Sequence, residues 1–217
     1  MRSADTARLV ALAAIWGASF IFIRVTAPVL GPAWMAEGRV LIGALVLLAW
    51  FRFTGFDPEW RRHRRFYVAI GILNSAIPFT LYGFAGMHMS ASVMSILNAT
   101  SPMFGLLLGA AFAGERITAR KIAGIVIGAI GVALVAQPSK DAASPMFMWA
   151  VGACLCASFS YGMTGVLIKK WGAGVPSRGI AVGAQLVAAV VLLPLLAFLP
   201  PLAAPSAVVL ATRSPRR

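Results

Sequence analysis

Charge is what this chain has least of. Charged residues make up 12% of its 217 positions, about half the share usual in a soluble domain. Acidic residues are the rarer kind, six against nineteen basic ones. Histidine and cysteine occur twice each, so groups for metal ligation or nucleophilic chemistry are nearly missing. His63 falls in an arginine-rich stretch and His88 in a short turn, which makes no ligand cluster. Cys154 and Cys156 lie two apart in an apolar run, where a helix turns them to opposite faces and favours neither an intrahelical disulfide nor a shared metal site. There is no Gly-rich phosphate loop followed by Lys and Ser or Thr, which argues against a fused P-loop ATPase. Nor does any Ser/His or paired-Asp constellation sit inside the apolar runs, which argues against an intramembrane enzyme. The expectation is a protein without enzymatic activity, metal or cofactor.

What fills the chain instead is apolar sequence, 60% of it hydrophobic with a mean hydropathy of +0.86. Seven runs stand out: Leu9–Val29, Ala33–Phe53, Phe66–Gly86, Ala91–Ala113, Ala119–Ala136, Met146–Ile168 and Gly179–Leu199. Each is long enough to cross a hydrocarbon layer about 30 Å thick. Basic residues gather in alternate connections. Arg2 and Arg8 precede the first run, Arg52, Arg61, Arg62, Arg64 and Arg65 close the second, Arg116, Arg120 and Lys121 follow the fourth, and Lys169, Lys170 and Arg178 follow the sixth. Lys140 stands alone in the other set. Basic excess marks the cytoplasmic face, so the chain reads as a multi-pass plasma-membrane protein with its N-terminus cytoplasmic. The formal charge of +13 then serves orientation and lipid headgroups. Nucleic acid is not an expected partner, because the charges cap apolar runs and form no continuous basic face. The first run outlasts a signal-peptide core and reads as an uncleaved helix.

Gln137-Pro138-Ser139-Lys140-Asp141 has turn chemistry and suggests a boundary between two units, 1–137 and 145–217. Trp16-Gly17 matches Tyr161-Gly162 across that boundary, Arg24 matches Lys169 at the same offset, and Arg39 matches Gln185 with one residue inserted. Five runs precede the second copy, and five is odd, so the copies run through the membrane in opposite senses. Inverted repeats of this kind are typical of secondary transporters. The fold class expected is an all-α polytopic bundle of about seven spans, five in the first repeat and two in an incomplete second. Beyond Leu199, Pro200, Pro201 and Pro205 interrupt the last apolar piece, and a basic tail ends it. A shortened, non-transporting remnant or a half-carrier partner is the alternative reading. Pairing with a second copy would complete the half-built repeat, although no residue pattern requires it.

Charged groups within the runs are candidates for function, because a charge at mid-membrane costs about 2.5–3.5 kcal/mol on insertion scales. Arg24 and Glu37 are equally far from the first outer turn, so an Arg24–Glu37 ion pair is expected. Arg39, about 200° from Glu37 around a helix, should face elsewhere. This trio either locks the first hairpin or handles substrate and protons. Gly71, Asn74, Ser75, Pro78 and Tyr82 form one polar face of the third run; Ser95, Asn98 and Pro102 form another on the fourth. Two proline-broken polar stripes point to a shared hydrated cavity, and interhelical hydrogen bonding is the plainer reading. Gly124, Gly128 and Gly131 suggest close helix packing. Thr118 suits an N-cap, and Glu115 with Arg116 a solvated pair.

Trp16-Gly17-Ala18-Ser19-Phe20 with Arg24, Pro32 with Arg39, Asn98-Ala99-Thr100-Ser101-Pro102, and Gly114-Glu115-Arg116-Ile117-Thr118 followed by Gly124 and Gly131 occur in this order. On these segments the chain resembles the drug/metabolite transporter superfamily, and within it the EamA family, over nearly all of Leu9–Leu199. The resemblance implies ten helices in two inverted five-helix repeats, both termini cytoplasmic, and export of amino acids and other small metabolites without ATP. It implies a central cavity, with Trp16, Ser19, Asn74, Tyr82, Asn98 and Tyr161 as its substrate-facing residues. Spans eight to ten of that pattern are missing here. The function expected is a secondary exporter of small metabolites such as amino acids, with the metabolite and the lipid bilayer as partners.

Overall fold

The computed structural model describes residues 3–135 and 145–202; the expected boundary at 137–141 and the basic tail lie outside the described residues. Among the described residues the chain consists of helices joined by short turns, with no strand. The helices are α1 (Ser3–Leu30), α2 (Pro32–Thr54), α3 (Trp60–Gly71), α4 (Ile77–His88), α5 (Ala91–Asn98), α6 (Ser101–Ala113), α7 (Ala119–Val135), α8 (Phe147–Trp171) and α9 (Ser177–Phe198). Six stretches among the described residues are long and apolar enough to cross a membrane: Asp5–Leu30, Pro32–Thr54, Trp60–His88, Ala91–Ala113, Phe147–Trp171 and Ser177–Phe198. The expected fifth run corresponds to α7, whose seventeen described residues sit at the lower limit of about 17 for a crossing. The outer surface is apolar: Ile15, Phe22, Ile42, Val46, Ile127, Val190 and Phe198 all point outward. A surface of that kind is stable only against lipid.

Two of the predicted runs are not continuous α-helix. Between α3 and α4 the chain passes through a π-helical turn, Ile72–Ala76. Between α5 and α6 the helix breaks at Ala99 and Thr100. A proline follows each irregularity, Pro78 and Pro102, and neither can donate the backbone hydrogen bond the preceding turn expects. Serine hydroxyls fill both gaps. Ser160 of α8 donates to the Leu73 carbonyl at 2.7 Å, and Ser101 donates to the Asn98 carbonyl at 2.7 Å. In a layer without water these substitutes are what make the breaks tolerable.

The ends of the bundle are tied separately. At one end Glu115, in the α6–α7 turn, receives a hydrogen bond from Lys169 near the end of α8 and lies 3.7 Å from the Lys121 ammonium. The Lys169 and Lys121 ammoniums hold its carboxyl below the usual carboxylate range. Arg116, the expected partner, is not the one used. Thr118 does act at the start of α7, its hydroxyl receiving the Lys121 N–H at 3.4 Å. At the same end Tyr67 donates to the Pro58 carbonyl at 2.7 Å. At the opposite end Trp34 donates its indole N–H to the Leu199 carbonyl at 2.8 Å. The α1–α2 turn there needs Gly31, at φ +82°, followed by Pro32, which opens α2.

Span three is held by very close contacts at its glycines. A Cβ on Gly71 would stand 2.5 Å from Val187 Cβ on α9, and one on Gly83 would stand 2.9 Å from Pro32 Cα on α2. The glycine stripe on α7 behaves differently. Gly124 and Gly131 face open space among the described residues, and Gly128 touches Met103, so close helix packing is absent at two of the three positions.

Candidate functional site

The helix irregularities converge on a cavity of about 220 Å³, room for about seven waters at about 30 Å³ each. Trp16 and Ser19 come from α1, Arg39 from α2, Asn74 from the π-helical turn, Tyr82 from α4, Asn98 from the last turn of α5, and Tyr161 and Gln185 from α8 and α9. The six residues expected to face a cavity therefore surround one space, and Arg39 joins them. Phe20, Ile23 and Phe79 supply its apolar wall. Cavity space continues past Asn98 toward Ser101 and Pro102, and along the α1–α2 groove past Ser19 and Arg39.

Its polar groups are partly committed. Tyr82 donates to Asn98 Oδ1 at 2.8 Å, and its oxygen lies 3.4 Å from Ser158 Oγ. Ser158 in turn donates to the Leu97 carbonyl at 3.2 Å. This network ties α4, α5 and α8 together on the cavity floor. The aromatic rings are graded around it: Tyr82 stacks on Tyr161 with centroids 6.4 Å apart and planes at 22°, Trp16 leans on Tyr161 at 6.4 Å, and Phe20 meets Tyr82 edge-on at 5.3 Å. The remaining polar groups are open. Asn74 and Gln185 make no side-chain hydrogen bond among the described residues, and the Gln185 Oε1 atom is shielded with no donor. The Arg39 guanidinium lies 4.1 Å from the Phe79 ring centroid, a cation–π position that holds it in place without neutralising it.

The expected Arg24–Glu37 ion pair does not form. Arg24 donates to the Gly86 carbonyl near the end of α4 at 3.2 Å. Glu37 is buried with both carboxyl oxygens unpartnered. The reason is rotational. Glu37 shares a helix face with Ala33, Ala36 and Val40, and Ala36 and Val40 pack against Ala76, Ala188, Ala189 and Leu192 of span three and α9. Depth along the membrane matched the two charges, and helix rotation separated them. Neither Arg24 nor Glu37 lines the cavity, whereas Arg39 does.

Gln185 is the polar cavity residue that sequence reasoning passed over as a site. Its signal was there: a lone amide in the middle of an apolar run, and the counterpart of Arg39 in the repeat comparison. Cys154 is buried and Cys156 exposed, on opposite faces as their spacing required.

Residues 7–137 match the family described as the EamA-like transporter family. The chain belongs to that family. Among curated proteins it is 31% identical over 124 residues to an "Uncharacterized transporter" of Archaeoglobus fulgidus, covering 57% of this chain and 44% of that one. It is 28% identical over 188 residues to a "Probable terminal-alkyne amino-acid exporter" of Streptantibioticus cattleyicolor, covering 87% of this chain and 62% of that one. "Uncharacterized transporter YdfC" of Bacillus subtilis is 27% identical over 155 residues, 71% of this chain and 45% of its own. The chain thus spans roughly half the length of these relatives. No solved structure matches it. This EamA-family chain is a multi-pass membrane protein, and α8 and α9, beyond the matched region, still contribute Tyr161 and Gln185 to the cavity.

Proposed function

We propose that this chain carries the substrate cavity of a secondary exporter of small polar or amphipathic metabolites, amino acids among them. One observation carries the reading. A hydrated-sized cavity lies where two membrane spans are broken, and it is lined by a free guanidinium, two open amides and stacked aromatic rings. Ligand sites of secondary carriers are built at discontinuous helices near the bilayer midplane. The amino-acid exporter among the relatives supports the substrate class. In this reading 1–137 and 145–217 belong to two inverted repeats, and rocking of one against the other exposes the cavity to each side in turn. The plasma membrane holds the chain with its N-terminus and arginine-rich connections in the cytoplasm, as the charge asymmetry favours.

Counterflow in liposomes tests this. Full-length protein should exchange labelled leucine, phenylalanine or threonine against the unlabelled compound. Asn98→Leu, which removes the acceptor of Tyr82, should reduce exchange at least ten-fold while leaving gel-filtration behaviour unchanged. Absence of exchange for all three would reject the carrier reading.

A further inference from the structure

The carrier reading leaves the charge of the substrate open, and the cavity's own charges address it. Among the described residues that line it, Arg39 is the one ionic group. The described carboxylates are elsewhere: Asp57 and Glu59 in the α2–α3 connection, Glu115 in the α6–α7 turn, Asp5 at the start of α1, and Glu37 on the packed face of α2. Arg39 therefore stands at the cavity with no counter-ion among the described residues, its guanidinium over the Phe79 ring. A cationic ligand would add a second positive charge there. A ligand without charge would leave the first uncompensated. A carboxylate compensates it and matches the planar fork of the guanidinium with two parallel hydrogen bonds.

The second polar anchor is close by. The Gln185 side chain packs on Gly43, with its amide carbon 3.5 Å from where a Cβ would be. Gly43 is one helical turn from Arg39 on the same face of α2, a rise of about 6 Å. The unpartnered amide of Gln185 thus borders the cavity one turn from the guanidinium. We infer that the cavity selects metabolites bearing a free carboxylate, zwitterionic amino acids included, with Arg39 holding the carboxylate and the Gln185 amide bordering the same space. Trp16 and Tyr161 then face the side chain. This inference rests on the carrier reading and narrows it.

The experiment compares, in the same proteoliposomes, leucine, phenylalanine and threonine with their carboxamides and with the corresponding decarboxylated amines. The wild-type protein should exchange the acids at least ten-fold better than either neutralised series. Arg39→Gln should bring acids and amides within about three-fold of each other, and Arg39→Lys should keep part of the preference. Should Arg39→Gln fail to fold, the wild-type series decides alone. Exchange of amides or amines as fast as the acids would overturn the carboxylate inference and leave the carrier reading standing. Silence of all three series would overturn both.

Discussion

Ser160 on α8 donates its hydroxyl to the carbonyl of Leu73 at 2.7 Å. The π-helical turn explains why that carbonyl is free. Ile77 bonds back to Ile72 across five residues, and continuing the pattern would ask Pro78 for an N–H it lacks. A residue on another helix thus completes the backbone of span three. Ser160→Ala should lower stability by about 1 kcal/mol, within the range of roughly 0.6–2 found for hydrogen bonds between membrane helices. Unfolding in mixed detergent–lipid micelles would measure it; an unchanged transition would mean that the carbonyl finds another donor.

Arg24 and Glu37 should be energetically independent. A double-mutant cycle with Arg24→Gln and Glu37→Gln, read by the same unfolding assay, should give a coupling within about 0.5 kcal/mol of zero. A coupling above about 1 kcal/mol would show that the two charges meet after all. Glu37→Met should be neutral or stabilising, since it removes a buried carboxyl that has no partner.

Glu115 offers a pH test with a definite sign. Its carboxyl titrates below its ordinary 4.5 because Lys169, and to a lesser degree Lys121, favour the ionised form. The bridge therefore contributes its stabilisation in full above pH 4.5 and loses it as pH falls through the lowered value. The difference in melting temperature between wild type and Glu115→Gln should be present at neutral pH and shrink in stronger acid. It should also shrink in high salt, as befits an exposed pair. A difference independent of pH would assign the tie to packing.

The seam at Gly71 is open to a steric test. Gly71→Ala places a methyl 2.5 Å from Val187 Cβ, and overpacking of this kind costs about 1–3 kcal/mol. Val187→Gly in the same chain should recover part of the loss. Failure to recover any of it would show that the contact with the Ala184 carbonyl, 3.1 Å away, dominates.

How much of this was legible in the residues depends on what a single helix can encode. The spacing of Asn74, Pro78 and Tyr82, and of Asn98 and Pro102, fixed which face of each span is polar, and those faces do converge. Pairing between spans was harder. Arg24 and Glu37 share a depth, but rotation about each helix axis is set by packing partners far away in sequence, here Ala188, Ala189 and Leu192. The prolines announced trouble in spans three and four without saying whether it would be a kink, a π-helical turn or a full break. That outcome depended on Ser160 and Ser101 being placed to accept the task, and Ser160 lies eighty-seven residues from its carbonyl. The α7 glycines show the converse error, since small residues permit close approach without compelling it.

Span three is clasped by α9 on one side of the π-helical turn and by the first hairpin on the other, through contacts too tight to admit a methyl group. Neither clasp can slip without collision. If α9 shifts against that hairpin, the strain collects in the five residues between the clasps, and Asn74 is the middle one. The joint of the protein and a wall of its cavity are then the same piece of chain, so reshaping one reshapes the other.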